Sequence, residues 1–217
     1  MVGAAHPITN VTASIAEPTN AAGARTTYTI GFTTSSTGAM AYVANSQIVL
    51  TFPSGTGFSP GYSDSSVIAG GDEVGTCGGA SGTTVTCFIG FGKSIPANTP
   101  VLVTLNGITN PGQGAQSLGV STTSDPSPQF AGYVVGAAHT IGTPTVAIAE
   151  PTDAAGARTI YTIGFTTSST GKLTYAANSQ ITLTFPAGTG FSPGYSDSWS
   201  WWTASRSAPA AARAGRS

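Results

Sequence analysis

The residues with the widest chemical range in this 217-residue chain are two cysteines, two histidines and eight acids. Cys77 and Cys87 flank the stretch GGASG, with nine residues between them. Three states fit that spacing: a disulfide closing a hairpin, two buried free thiols, or a reactive pair. Zinc would need two further soft ligands, and none stands nearby in sequence. His6 and His139 lie 133 positions apart, each without a second ligand close by. An ordinary surface or inter-domain histidine accounts for both.

Asp64, Asp72, Glu73 and Asp125 are the acids to weigh for calcium, which takes several oxygen ligands. The D-x-D-x-D-G spacing of a calcium loop is absent. Glu17 and Glu150 each precede a turn with the sequence AAGAR, and an ion pair of Glu17 with Arg25 explains the first as well. Calcium is the one ion considered, and the expectation is no cofactor and no metal site. Nucleophilic catalysis needs a nucleophile beside a base, and no G-x-S-x-G elbow occurs. Paired carboxylates for glycoside hydrolysis meet only in three dimensions, but acids are few and none is flanked by aromatic subsite residues. Trp199, Trp201 and Trp202 all fall in the last nineteen residues, so Tyr42 and Tyr62 are the aromatic candidates for a glycan contact. The expectation is a non-enzyme with no catalytic residue.

The elements that must carry these residues read as strands. Charged residues are 7% of the chain, against roughly 25% in an average soluble protein, while hydrophobic residues reach 40%. Gly (29) and Pro (14) punctuate turns between Thr-, Val- and Ile-rich runs. Period-2 alternation predicts strands over Val11–Ile15, Arg25–Thr34, Gln47–Phe52, Val74–Cys77, Thr84–Phe91, Pro100–Leu105, Leu118–Thr122 and Gly132–Val135. Tyr28, Ile30 and Phe32 share one face of the second; Ile48, Leu50 and Phe52 share one face of the third. The predicted fold is all-β, an antiparallel β-sandwich with Greek-key connections, with a closed barrel as the alternative.

A direct repeat organises the chain. Val2–Ser65 aligns with Val135–Ser198 at a constant offset of 133, with 14 mismatches in 64 positions. That period suits a whole domain. The expected domains are 1–135, a complete repeat; 136–198, the first half of a second copy; and 199–217, a tail. The boundary is expected near Gly136–Pro144. After Ser198 the repeat gives way to WSWWTASRSAPAAARAGRS. Back-translated with G/C-rich codons and read one frame over, this tail yields VVVDGEPVGTCGGASG. Val67–Gly82 reads VIAGGDEVGTCGGASG. The tail is therefore expected to be frameshifted sequence without structure. Met1 aligns with Val134, inside AGYVVGAAH, so the expected reading frame continues upstream and a signal peptide is presumed to lie outside this fragment.

The net charge of −1 conceals an acidic body, because Arg206, Arg213 and Arg216 all lie in the tail. No Lys/Arg patch for nucleic acid stands out, and no run of about twenty apolar residues would span a bilayer.

The series ARTTYTIGFTTSSTGAM, SQIVLTFPSGTGFS and VLVTLNGITNPGQGAQSLGVSTTSD resembles immunoglobulin-like sandwich repeats of large secreted bacterial surface proteins, broadly similar to modules of collagen-binding adhesins. The resemblance spans most of Val11–Val135 and again Thr145–Ser198. It implies an extracellular or cell-surface location, where an even cysteine count favours a structural Cys77–Cys87 disulfide. It implies a non-catalytic structural or adhesive module. Its partners would be neighbouring repeats of the parent chain and a host or matrix protein or a glycan. The alternative is an accessory domain attached to a secreted enzyme. An ice-binding face fits less well, since short-period T-x-T ladders are missing.

Overall fold

The computed structural model describes residues 6–58, 65–191, 199–201 and 210–213. They divide into two units, residues 1–138 with Leu173–Ser179, and residues 139–172 with 180–217. The first unit holds strands β1 (Thr9–Glu17), β2 (Arg25–Thr33), β3 (Met40–Ala41), β4 (Gln47–Thr51), β5 (Ser65–Ala69), β6 (Asp72–Ser81), β7 (Thr84–Ile89), β8 (Ser94–Ile95), β9 (Pro100–Thr109), β10 (Gly114–Thr122) and β11 (Gln129–Val135). One short 3-10 turn, Tyr42–Ala44, interrupts them.

Nine of these strands form a single antiparallel sheet in the order β1-β2-β9-β5-β6-β7-β4-β10-β11. The sheet curls until its two edge strands approach one another. Just beyond them the backbone bridges the gap: Ala22 N–H donates to Gly136 O (3.0 Å) and Gly136 N–H to Asn20 O (2.9 Å). The result is nearly a barrel, whose inner face packs against itself much as the two layers of a sandwich do.

Period-2 alternation lines that interior. Tyr28, Ile30 and Phe32 of β2 are buried, as are Ile48 and Leu50 of β4 with Phe52 just beyond it, and Val101, Val103 and Leu105 of β9. Tyr28 stands at the centre, edge-on to Phe52 (ring centroids 5.4 Å apart) and to Tyr133 (5.6 Å). Such pairs contribute about 0.5–1.5 kcal/mol beyond their buried area. The predicted inward faces are thus the observed ones.

Two features differ from the sequence reading. β5 is a strand that alternation did not single out. It joins β6 through Gly70-Gly71, whose φ values of +62° and +93° suit a two-residue hairpin that only glycine enters without strain. The expected β6–β7 hairpin forms, but only the last residue of the stretch GGASG enters its turn. Gly78 and Gly79 lie inside β6, at a register shift between Cys77 and Ala80, and the turn is made by Gly82 (φ +59°) and Thr83. A bulge absorbs extra residues within a ladder, so the hairpin turns only at the last of the three glycines.

The second unit contains β12 (Thr145–Glu150), β13 (Ile160–Phe165), β14 (Trp199–Trp201) and β15 (Ala210–Arg213), in the order β12-β13-β15-β14. β12 pairs with β13 as β1 pairs with β2: Thr145↔Gly164 repeats Thr12↔Gly31, and Glu150↔Ile160 repeats Glu17↔Thr27. Thr159 Oγ1 donates to the carbonyls of Ile148 and Glu150, as Thr26 Oγ1 does to those of Ile15 and Glu17. Both Glu-Pro bonds at these turns are cis.

The correspondence stops at the third expected strand. Gln180–Phe185 repeats Gln47–Phe52 except at Thr182, yet it forms no strand, and Ile181 and Leu183 are 37% and 39% exposed. β4 is held between β7 and β10. The second copy of the repeat ends at Ser198, before either strand would occur. Extended backbone without a neighbour has no ladder to join. In the tail, expected to lack structure, the backbones of Trp199–Trp201 and Ala210–Arg213 do pair, with each other and with β13. The unsatisfied edge of β13 accepts any extended segment that reaches it.

Candidate functional site

Two exposed aromatic side chains, Tyr42 and Phe91, meet beside the pairing of β3 with β8. The short ladder Met40↔Ile95 and Ala41↔Ser94 anchors two loops through two fully buried side chains, Met40 and Ile95. Each loop is then closed by its own hydrogen bonds. Asn45, in the left-handed region at φ +51°, donates its N–H to Tyr42 O (2.8 Å), and Ala41 N–H donates to Ser46 Oγ (3.1 Å). On the other side Lys93 N–H donates to Gly90 O (2.9 Å) and Gly90 N–H to Val74 O (2.8 Å). The two loops are tied directly by Tyr42 N–H to Lys93 O (3.1 Å).

On this frame Val43 is 91% exposed, Phe91 87% and Tyr42 about half exposed. The Tyr42 and Phe91 rings meet edge to face with centroids 5.2 Å apart. Large apolar side chains that face water on braced loops present a preformed contact surface with little ordering cost on binding. An aromatic ring with a phenolic hydroxyl offers both an apolar face and a polar contact. Tyr175, the repeat equivalent of Tyr42, is likewise exposed, at 97%.

Tyr42 is one of the two aromatic candidates legible in the sequence, whereas alternation places Phe91 at the end of a strand. The strand β7 ends at Ile89 because Gly90 turns the chain and Gly92 (φ +69°) turns it again. The run Gly90-Phe91-Gly92-Lys93 was the available signal: an aromatic residue between two glycines belongs to a turn.

Cys77 and Cys87 are joined as a disulfide, and both are buried. They are directly opposed across β6 and β7, with Cα atoms 3.7 Å apart. The bond therefore fixes the register of the hairpin that carries the Phe91 loop.

Of the four acids considered for calcium, the three among the described residues are not brought together. Asp72 and Glu73 are exposed at the start of β6, and Asp64 lies outside the described residues. Asp125 is fully buried and held by neutral donors: Ser35 Oγ at 2.6 Å and Ser35 N–H at 3.1 Å. Its own N–H donates to Thr122 Oγ1 (2.9 Å). Gly38 leaves room for this carboxylate, since a Cβ there would overlap Asp125 Oδ2. Asp125 thus pins the 34–38 turn to β10. Among the described residues no three His, Cys, Asp or Glu side chains group so as to hold a metal ion.

His6 and His139 are exposed and lie in different units. Tyr62 and Trp202 lie outside the described residues, and Trp199 and Trp201 are described by backbone alone.

Further buried polar groups form a second network. The Tyr28 hydroxyl reaches Asn110 Oδ1 (3.0 Å) and the Tyr133 hydroxyl (3.4 Å), and Asn110 Nδ2 donates to Ala21 O (3.0 Å). Burial pushes the Tyr28 phenol well above its ordinary value, reinforced by its bond with Tyr133. Burial also raises Tyr133, against an opposing effect of the same bond. Both phenols stay protonated at neutral pH, which suits a structural network rather than a proton-transfer site.

No protein-family model matches the sequence, and no curated protein does. Among solved structures, the chain is similar to BslA, a bacterial hydrophobin, at 15% identity and a TM-score of 0.42, over 64% of this chain and 100% of that one. It is similar to the N-terminal domain of the Streptococcus gordonii adhesin Sgo0707 at 18% identity and a TM-score of 0.38, over 58% and 32%. It is similar to the collagen binding domain of the Erysipelothrix rhusiopathiae surface protein RspB at 13% identity and a TM-score of 0.30, over 50% and 41%. The matches thus span about a third of the adhesin chain and less than half of the collagen-binding one.

Proposed function

We propose that the first unit is a non-catalytic, immunoglobulin-like binding and spacer module of a secreted, multi-repeat surface protein, and that the Tyr42–Val43–Phe91 tip is its contact surface. The observation that carries this reading is the exposure of three large apolar side chains on loops braced by a buried ladder and a disulfide-fixed hairpin. The 133-residue repeat adds a reason: copies in tandem multiply weak contacts by avidity. A disulfide suits an extracellular location. In this reading the partners are neighbouring repeats and a host or matrix protein or a glycan. Residues 136–198 are the first half of a second copy, and 199–217 is frameshifted sequence.

The test is binding of the chain to immobilised matrix proteins and to a glycan array, with a V43S/F91S variant alongside. Both side chains are solvated, so the variant should melt at the wild-type temperature. The expected result is at least tenfold weaker binding by the variant to whichever surface the wild type holds. Equal binding by the two, or no surface held by the wild type, would overturn the proposal.

A further inference from the structure

The edge of β13 opposite β12 matches the edge of β2 opposite β1, residue for residue. Tyr161–Phe165 has the same sequence, YTIGF, as Tyr28–Phe32. In the first unit that edge takes β9, with Thr29↔Thr104, Ile30↔Val103, Gly31↔Leu102 and Phe32↔Val101. In the second unit it takes β15, with Thr162↔Arg213, Ile163↔Ala212, Gly164↔Ala211 and Phe165↔Ala210. Both partners are antiparallel and hold the same register. Ala210 and Ala212 therefore stand at the positions that Val101 and Val103 occupy, although the tail shares no sequence with β9.

We infer that the edge of β13 is a strand-acceptor site, and that the occupant it fits is an extended segment with the sequence of Pro100–Thr109. Main-chain hydrogen bonds supply the ladder whatever the sequence, and alternate side chains supply selectivity. Val101, Val103 and Leu105 are the buried residues of β9. An alanine side chain has less apolar surface to remove from water than a valine side chain has. The tail is thus a poor tenant of a site whose register is set by β13 itself. A second copy of the chain presents the better sequence when its own β9 is released from β2 and β5, and a synthetic peptide presents it without that cost. This inference rests on the two registers and is independent of the Tyr42–Phe91 tip.

The experiment uses the full isotope-labelled chain and an A212P variant, in which proline removes a ladder donor from the tail. The probe is an unlabelled Pro100–Thr109 peptide carrying two added lysines for solubility. Amide exchange of Thr162–Phe165 in the A212P chain should slow at least tenfold at saturating peptide. A peptide with Val101→Lys and Val103→Lys should leave it unchanged. A smaller slowing in the wild-type chain reports competition by the tail. Unchanged exchange in the A212P chain, or equal slowing by the lysine-substituted peptide, would overturn the inference.

Discussion

Ser35 donates both its hydroxyl (2.6 Å) and its backbone N–H (3.1 Å) to the buried carboxylate of Asp125, ninety residues along the chain. This contact ties the turn after β2 to the end of β10, on the far side of the sheet order. Asp125→Ala should destabilise the first unit by about 1–3 kcal/mol, the cost of orphaned buried donors. Gly38→Ala should cost a comparable amount, because its Cβ would overlap the same carboxylate and crowd the Ser35 nitrogen. Urea midpoints of the two variants check this, and wild-type midpoints for both would contradict it.

The Cys77–Cys87 bond closes a short loop, with a sequence separation of 10. In the chain-entropy account a loop of that length contributes about 2–3 kcal/mol. The double variant C77A/C87A should lose that much stability. Mass spectrometry of non-reduced protein should find the two cysteines linked, and two free thiols in freshly isolated, unreduced protein would contradict the pairing.

Tyr28 gives a pH dependence of definite sign. Its phenol is held above the value of about 10 that it has in an unfolded chain. Only the unfolded state then releases the proton readily as pH climbs past about 10. The contribution of Tyr28 is therefore fully present below pH 10 and is lost as pH rises above it. Stability followed from pH 8 to 12 should fall above 10. In Tyr28→Phe that fall should be shallower, at the cost of a lower plateau from the unpartnered Asn110 Oδ1. An equal fall in both proteins would assign the effect elsewhere.

The two units should differ in protection. Phe165 and Ile163 are buried, but Ile181 and Leu183 remain about two-fifths exposed, and among the described residues of the second unit no strand corresponds to β7 or β10. An uncovered large apolar side chain forfeits roughly 1.5–3 kcal/mol of burial. Slow amide exchange should therefore be confined to the first unit, and limited proteolysis should release a resistant fragment of about residues 7–135. Strong protection of Tyr161–Phe165 in the unliganded monomer, or a resistant fragment that runs through residues 136–144, would contradict this.

How much was legible in the sequence depends on the range of the interaction that decides each feature. Alternation is local, so the inward faces of β2, β4 and β9 could be read residue by residue, and Tyr28, Ile30 and Phe32 are indeed core. The β1–β2 ladder is nearly local too. Its register and bulge recur in β12–β13 despite several substitutions, because both strands and their connection lie in one short stretch. Cysteines on adjacent strands pair for the same reason. Other features depended on partners far along the chain. Gln47–Thr51 is a strand and Gln180–Thr184 is not, though they differ at one residue, because β7 and β10 flank only the first. The insertion of β9 between β2 and β5, the burial of Asp125 rather than of Asp72, and the meeting of Phe91 with Tyr42 are of the same kind. A strand's inward face follows from its own side chains, but its neighbours, and therefore whether it is a strand at all, follow from hydrogen bonds that only the closed sheet supplies.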